Sequence, residues 1–150
     1  MKPFSLIRKT LITASCLLVM SFTIWQPDFE TAKKLAKEKH QLILLNFSGS
    51  DWCIPCMRMH QEVFNTEDFI AYANENLVCV NADFPRKKKN QLSKEQQQLN
   101  DALAERYNNK GAFPYTVLLN ENGNVITSWD GFYTDGTAKF IQEIKNAAAR

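Results

Sequence analysis

The feature that most constrains this chain is a pair of cysteines, Cys53 and Cys56, between a short apolar run and a helical pattern. Residues 41–47 are apolar and short enough to form a buried strand, and residues 48–51 have the composition of a turn. From Cys53 to about residue 64 the apolar positions recur at helical spacing. The sequence therefore predicts strand, turn and helix in succession, with the C-x-x-C pair at the start of the helix.

This position predicts different roles for the two thiols. A thiol with a pKa of about 8.5 is mostly protonated at neutral pH, but the unpaired N–H groups and the dipole at a helix N-terminus stabilise a thiolate. Cys53, in the first turn, is the predicted nucleophile, and Cys56, one turn deeper, is the predicted resolving thiol. Ile54 and Pro55 add no charge between them. This favours a reducing or intermediate potential over a strongly oxidising one.

The first 25 residues predict an export segment. It opens with a basic region formed by Lys2, Arg8 and Lys9. An apolar run of 16 residues follows, from Thr10 to Trp25, which is short for a spanning helix of about 20 residues. No clear A-x-A cleavage site comes after it, and residues 11–16 weakly match a lipoprotein box. Residues 1–25 are therefore interpreted as a signal peptide or a membrane anchor, and cleavage, lipidation at Cys16 and retention are all left open.

Residues 26–150 are long enough for one compact domain, since the chain has 150 residues and is 45% hydrophobic. The formal charge is +2, but three of the 18 basic residues and none of the 16 acidic residues lie in residues 1–25. The predicted domain thus has a net charge of −1. A near-neutral domain argues against nucleic-acid binding.

The other residues predict helices and strands in alternation. In order, they are an amphipathic helix after Asp28, the strand 41–47, the helix 53–64, a helix at 66–76, a strand at 77–82, a helix from Ser93 to Tyr107, an apolar strand after Pro114, a strand at 125–129 and a helix at 134–149. Because Pro114 lacks an N–H group, it must lie at a sheet edge, a strand start or a special turn. The sequence shows no internal repeat and no second domain.

The segment 84–90 is rich in Pro and Lys and predicts a surface loop. Its run of four basic residues, 86–89, could face an acidic partner or lipid headgroups. We interpret it as a solvated loop. Cys79, in the middle of the strand 77–82, is interpreted as a small buried apolar residue.

Taken together, these motifs resemble the thioredoxin superfamily over residues 28–149. The matching features, in order, are Trp52-Cys53-x-Pro55-Cys56, the strand Val80-Asn81-Ala82-Asp83, Phe113-Pro114, Asn122-Gly123 and Gly131. The phrase around the cysteines is most similar to exported bacterial thioredoxin-domain proteins, and more distantly to the C-terminal domain of the membrane reductase DsbD. The resemblance implies an α/β thioredoxin fold, with a central mixed β-sheet flanked by helices.

The resemblance also implies a thiol–disulfide oxidoreductase that needs no organic cofactor. Pro114 would be cis and would face the disulfide, and together with Phe113 and Trp52 it would form a groove for an extended substrate segment. The implied partners are disulfide-containing substrate proteins and a membrane or soluble thiol electron donor, because an exported C-x-x-C pair drifts to the disulfide unless it is reduced again. The expected location is the periplasmic side of a bacterial membrane.

In one respect the chain departs from the family. Thioredoxins usually carry a buried Asp that is paired with a Lys from the next strand, and the two help to deprotonate the resolving thiol. The matching pair here is assigned to the neutral residues Asn46 and Cys79. The hypothesis is that deprotonation of Cys56 relies on water or on another group.

Two other functions stay open at this stage. Cys53, Cys56 and His60 are spaced i, i+3 and i+7, so one helix face could offer three ligands to copper or zinc. No second C-x-x-C or H-x-x-x-H motif supplies a fourth ligand, and we interpret His60 as a polar residue on the helix surface. The third possibility is a binding module that uses the groove without turnover.

Overall fold

A computed structural model describes residues 25–149 as a sheet with helices on both faces. The strands in this range are β1 (Trp25–Gln26), β2 (Leu42–Ser48), β3 (Leu77–Asp83), β4 (Tyr115–Leu119) and β5 (Val125–Asp130). The helices are α1 (Phe29–Lys39), α2 (Ile54–Met59), α3 (Glu67–Asn76), α4 (Lys94–Tyr107) and α5 (Thr137–Ala148). A π-helical turn, His60–Phe64, continues α2, and a 3₁₀ turn, Lys88–Asn90, lies before α4.

The strands form one mixed sheet in the order β1-β3-β2-β4-β5. β1 and β2 both run parallel to β3, whereas β4 is antiparallel to β2 and β5 is antiparallel to β4. The predicted thioredoxin fold with a mixed sheet is confirmed. Parallel pairing brings the C-terminal ends of β2 and β3 to the same edge of the sheet, which is where the cysteine segment begins.

Side chains of β2 alternate between two hydrophobic cores, as expected for a strand that is buried on both faces. Ile43 and Leu45 pack with α1 and α4, and Leu44 packs on the opposite face with α3 and α5. Cys79 is fully buried in the second core, as predicted. Burial raises the pKa of its thiol, so this cysteine stays protonated and inert.

Predicted helix starts are supported by side-chain caps. The Asp28 carboxylate accepts from the Thr31 N–H at 2.6 Å, Thr66 Oγ1 accepts from the Phe69 N–H at 3.3 Å, and Ser93 Oγ accepts from the Gln96 N–H at 3.1 Å. The last helix begins at Thr137 rather than at residue 134. Gly136 precedes it with a φ of 85°, outside the helical range.

The sequence did not predict β1, because a strand of two residues has no detectable alternation. Trp25, the last residue of the predicted export segment, is paired with Cys79 and packs its ring 5.3 Å from that of Phe64. Residues 1–24 lie outside the described range. Among the described helices, none combines the length and the apolar character that a membrane span requires.

Candidate active site

Cys53 and Cys56 form a disulfide at the start of α2, with an S–S distance of 2.08 Å. Cys53 is the N-cap residue, and its Sγ accepts from the Cys56 N–H at 3.3 Å. The exposed fraction is 4% for Cys53 and 1% for Cys56. Both cysteines are thus largely buried in the disulfide, with Cys53 at the N-cap and Cys56 in the first turn of α2, as the spacing predicts.

The turn before the disulfide depends on Gly49. Its carbonyl accepts from the N–H groups of Cys53 at 2.9 Å and of Trp52 at 3.3 Å. The Trp52 indole lies directly against Gly49, and a Cβ at this position would come within 2.3 Å of the indole Cε2. Glycine is therefore required so that the tryptophan can fold back over the turn.

The same turn is anchored to the end of β3 by Asp83. This carboxylate accepts from the Ser50 N–H at 2.8 Å and from the Ser48 hydroxyl at 3.2 Å. Ser48 and Asp83 are register partners at the ends of β2 and β3. The parallel pairing of these strands thus sets the position of the cysteine turn.

Asp51 makes a second anchor, which holds the loop 84–90 to the cysteine turn. Its carboxylate accepts from the N–H groups of Arg86 and Lys87 and from the Asn90 side chain, each at 2.9 Å. These hydrogen bonds, led by the one from the Arg86 N–H, hold the pKa of Asp51 below its ordinary value. The ionised carboxylate fixes the loop 84–90 beside the disulfide.

An aromatic wall stands next to the disulfide. The ring centroids of Trp52 and Phe113 are 5.5 Å apart, and those of Phe113 and Phe84 are also 5.5 Å apart, both in edge-to-face geometry. The Trp52 indole N–H donates to the Phe84 carbonyl at 2.7 Å. The Phe113–Pro114 peptide bond is cis, as the resemblance implies. Two of the three predicted groove residues, Trp52 and Phe113, are therefore in contact.

Phe84 also belongs to the site, although the composition of the segment 84–90 predicts a solvated loop. Its N–H donates to the Ser48 carbonyl at 2.9 Å, which places it beside the cysteine turn. One signal could have found it: Phe84 directly follows a buried strand that runs parallel to β2, so it must emerge at the same sheet edge as the cysteines.

Beside the disulfide, α2 presents two apolar side chains to solvent. Ile54 is 67% exposed and Met57 is 38% exposed. Both side chains lie within about one turn of the disulfide.

A neutral polar cluster is buried in the sheet below the cysteine turn. Asn46 donates from Nδ2 to Asn81 Oδ1 at 2.8 Å and accepts from Thr116 Oγ1 at 3.1 Å. The expected pairing of Asn46 with Cys79 is wrong, because the strand register places Cys79 beside Leu44. The side chain that faces Asn46 is that of Asn81, and it too is neutral.

His60 does not lie on the helix surface as predicted. Its Nε2 is 3.5 Å from Asn46 Nδ2, and its ring packs 5.4 Å from that of Trp25 and 5.3 Å from that of Phe64. The two aromatic rings, one of them on the unforeseen strand β1, cover the imidazole. Burial lowers the pKa of His60, and the hydrogen bond with Asn81 and the negative charge of Asp83 partly oppose this shift.

The geometry does not favour the metal-binding alternative. Across residues 25–149, no group of three or more His, Cys, Asp or Glu side chains is arranged to hold a metal ion. His60 turns towards Asn46, and the two thiols that would share the ion are bonded to each other.

The chain matches a known protein family over most of its length. The model of the thioredoxin-like domain matches residues 29–148. The chain belongs to the thioredoxin-like family.

Two relatives make the relationship of this thioredoxin-like protein more specific. The disulfide bond reductase DsbH of Chlamydia pneumoniae is 32% identical over 123 residues, which cover 82% of this chain and 71% of that protein. A solved structure of a DsbH oxidoreductase superposes with a TM-score of 0.75 at 32% identity and covers 82% of both chains. The oxidised C-terminal domain of DsbD from Neisseria meningitidis shares the fold, with a TM-score of 0.53 at 22% identity over 79% of this chain and 90% of that one.

The relationship and the cysteine pair give the general class of chemistry. A thioredoxin-like domain related to a disulfide bond reductase, with a disulfide at C-x-x-C spacing, is a thiol–disulfide oxidoreductase.

The partly buried imidazole of His60 predicts a pH-dependent stability. A histidine whose pKa is lower in the folded than in the unfolded state contributes stability above the unfolded value of about 6.5, and this contribution is lost as the pH falls through the folded pKa. We expect the free energy of unfolding of the wild type to decrease below about pH 6.5. In His60→Gln this part of the decrease should be absent, as measured by urea denaturation from pH 8 to pH 5.

The other histidine provides the control. His40 is exposed and caps α1 with a φ of 53°, which asparagine also adopts readily. His40→Asn should keep the wild-type slope. An equal slope in wild type and His60→Gln would mean that His60 does not cause the pH dependence.

Proposed function

We propose that this protein reduces disulfide bonds in exported proteins, with Cys53 as the nucleophile and Cys56 as the resolving thiol. The observation that supports the proposal is the position of the pair: Cys53 is the N-cap of α2, and Cys56, bonded to it as a disulfide, lies within the first turn. In the reduced protein, the helix N-terminus and the Cys56 N–H would stabilise a Cys53 thiolate.

The proposed reaction has two exchanges. The Cys53 thiolate attacks one sulfur of the substrate disulfide, so that a mixed disulfide forms and the other substrate sulfur leaves as a thiolate and takes up a proton. Cys56 then loses its proton and attacks the Cys53 sulfur, which releases the second substrate thiolate. Two electrons pass from the dithiol to the substrate, and the Cys53–Cys56 disulfide seen in the structure is the product.

The groove beside the disulfide is the proposed substrate site. Trp52 and Phe113 would flank an extended segment, and the backbone at the cis Phe113–Pro114 bond would pair with it. The exposed side chains of Ile54 and Met57 add an apolar surface on the helix side. In this proposal the contacts are mainly with backbone and apolar groups, so many sequences can enter the groove.

The proposed direction of electron flow, from the protein to its substrate, rests on the residues between the cysteines and on the expected export of the chain. Ile54 and Pro55 bring no charge that would favour the reduced pair strongly, so the couple would be able to donate electrons. If residues 1–25 direct the chain out of the cytoplasm, either cleaved or kept as an anchor, a membrane or soluble thiol donor must reduce the pair after each turnover.

We also propose that the proton of Cys56 passes to solvent rather than to a buried carboxylate. The cluster formed by Asn46, Asn81 and Thr116 contains no acid. The two titratable side chains that border it are His60, next to Asn46, and Asp83, whose carboxylate bonds to Ser48 and Ser50.

The mixed disulfide provides the first test. In Cys56→Ser the second exchange is impossible, so the variant should trap substrate proteins on Cys53 as conjugates that dithiothreitol releases, and turnover should fall by at least about a hundredfold. Non-reducing gel electrophoresis and insulin reduction measure the two effects. Cys53→Ser is the matched control and should trap nothing. If the wild type did not reduce insulin and Cys56→Ser trapped nothing, a binding module without turnover would be supported instead.

The direction is tested by the reduction potential of the Cys53–Cys56 couple. We expect a value in the range of thioredoxin, about −270 mV, in a titration of the purified protein against glutathione and dithiothreitol buffers. A value near −120 mV, typical of a strong oxidant, would contradict the reductase direction.

The route of the resolving proton is tested at Asn46. In Asn46→Asp a carboxylate replaces the buried amide, so the pH profile of mixed-disulfide resolution should shift, as measured by stopped-flow tryptophan fluorescence between pH 5 and pH 9. Asn46→Leu removes the same hydrogen bonds without adding an acid and should keep the wild-type profile. An unchanged profile in Asn46→Asp would show that the neutral cluster does not control this step.

A further inference from the structure

The loop 84–90, here called the basic loop, carries four consecutive cationic side chains and lies against the disulfide segment. Arg86, Lys87, Lys88 and Lys89 are all exposed. The Asp51 carboxylate, two residues before Cys53, holds the loop by the N–H groups of Arg86 and Lys87. The loop thus has a fixed position at the site, which a loop that is merely solvated does not need.

One of these cations lies on the wall of the groove. The Arg86 guanidinium carbon is 3.6 Å from the centroid of the Trp52 ring, a close cation–π contact. The same Trp52 ring also contacts Phe113 edge-on. Because Arg86 lies on the Trp52 ring, a segment that contacts this ring would come close to Arg86.

The charge of the basic loop is largely uncompensated. The ion pairs found within residues 25–149 are Lys33–Glu30, Arg58–Glu62 and Lys139–Asp135, and none involves this loop. Asp51 supplies one negative charge, but its oxygens already accept from two backbone N–H groups and from Asn90. Beside the groove there remains a net positive rim.

We propose that the basic loop recognises acidic side chains that flank the cysteine of the substrate disulfide. The inference rests on the proposed function and deepens it, because it names the class of segment that the groove takes in preference. Arg86 would meet the residue nearest to the cysteine, and Lys88 and Lys89 would meet acids further along the segment. Charge complementarity of this kind acts mainly on the rate of encounter, and it is weakened by salt.

The position of the loop favours a polypeptide over a lipid surface. Arg86 lies on the aromatic wall itself, so a bilayer pressed against the loop would also cover the groove and the Cys53 sulfur. An extended segment, in contrast, can contact the loop and the disulfide at the same time.

The test uses three synthetic peptides that share one disulfide-linked cysteine and differ only in the residues on both sides of it, which are Glu, Gln or Lys. The prereduced full chain reacts with each peptide in a single turnover, and each rate constant is divided by that for free dithiothreitol, which corrects for the reactivity of the peptide disulfide itself. At 20 mM NaCl we expect the corrected rate to be about three- to tenfold higher for the Glu than for the Lys peptide, as expected for the gain of one or two exposed ion pairs. The ratio should approach one at 500 mM NaCl.

Charge reversal locates the effect. In Lys88→Glu/Lys89→Glu the loop loses its net positive charge but keeps Arg86 and Lys87, so the ratio of the Glu to the Lys rate should fall towards one. This ratio is internal to one variant, so that partial loss of folded protein does not affect it. Lys34→Glu/Lys37→Glu is the matched control. It makes the same change in net charge on exposed residues of α1. This helix precedes the start of β2, whereas the cysteines follow the end of β2. The control should keep the preference of the wild type.

Each outcome separates this inference from the function on which it rests. If the Gln peptide is not reduced at all, the proposed function fails. If all three peptides react at the same corrected rate at 20 mM NaCl, the function stands and the recognition of acidic segments is wrong. If the peptides show no preference but Lys88 and Lys89 are required for binding to vesicles of phosphatidylglycerol, and not of phosphatidylcholine, the loop is a lipid-binding surface and the inference is overturned.

Discussion

The geometry of the site depends on the carboxylates of Asp83 and Asp51, which hold the cysteine turn and the loop after β3 together by hydrogen bonds. The turn between β2 and α2 has backbone N–H groups that no regular element satisfies, and such groups need an acceptor. Asp83 supplies one because the parallel register places it opposite Ser48. Asp51, within this turn, in the same way holds the loop after β3, because its carboxylate accepts from the N–H groups of Arg86 and Lys87. The disulfide, the aromatic wall and the basic loop are thus held as one unit by charge-assisted hydrogen bonds, which are stronger than neutral ones.

Much of this could be predicted from the sequence because it depends on local patterns. The cysteine spacing, the caps at Asp28 and Thr66, and the proline before a strand each leave a signature within a few residues. The pairing of Asn46 with Asn81 leaves none, since it is set by the register of two strands that are 35 residues apart. An assignment by resemblance was two residues out of register in β3 for this reason.

The same distinction explains the errors at His60 and Phe84. His60 follows the cysteines at helical spacing, and that spacing alone cannot show that Trp25 covers it from a strand of two residues. Phe84 precedes a proline and a run of lysines, and composition assigned it to solvent, yet its carbonyl accepts from the Trp52 indole at 2.7 Å. Contacts between segments that are distant in sequence determine where both side chains lie. The same is true of the hydrogen bonds that Asp51 and Asp83 make at the site.

The basic loop could in principle act on the thiolate as well as on the substrate, and magnitudes decide between the two. Exposed charges are screened over about 8–10 Å at physiological salt and contribute little as individual pairs. The sulfur of Cys53 has a closer partner at the start of α2, the Cys56 N–H at 3.3 Å. Direct donors in a buried site outweigh screened cations, so in the proposed reaction the helix end, and not the loop, would stabilise the Cys53 thiolate. Encounter with a charged segment, in contrast, is governed by the summed field of several exposed cations acting before contact. In our proposal the two tasks are therefore separate: α2 would control the chemistry of the cysteine pair, and the loop after β3 would act on the choice of substrate.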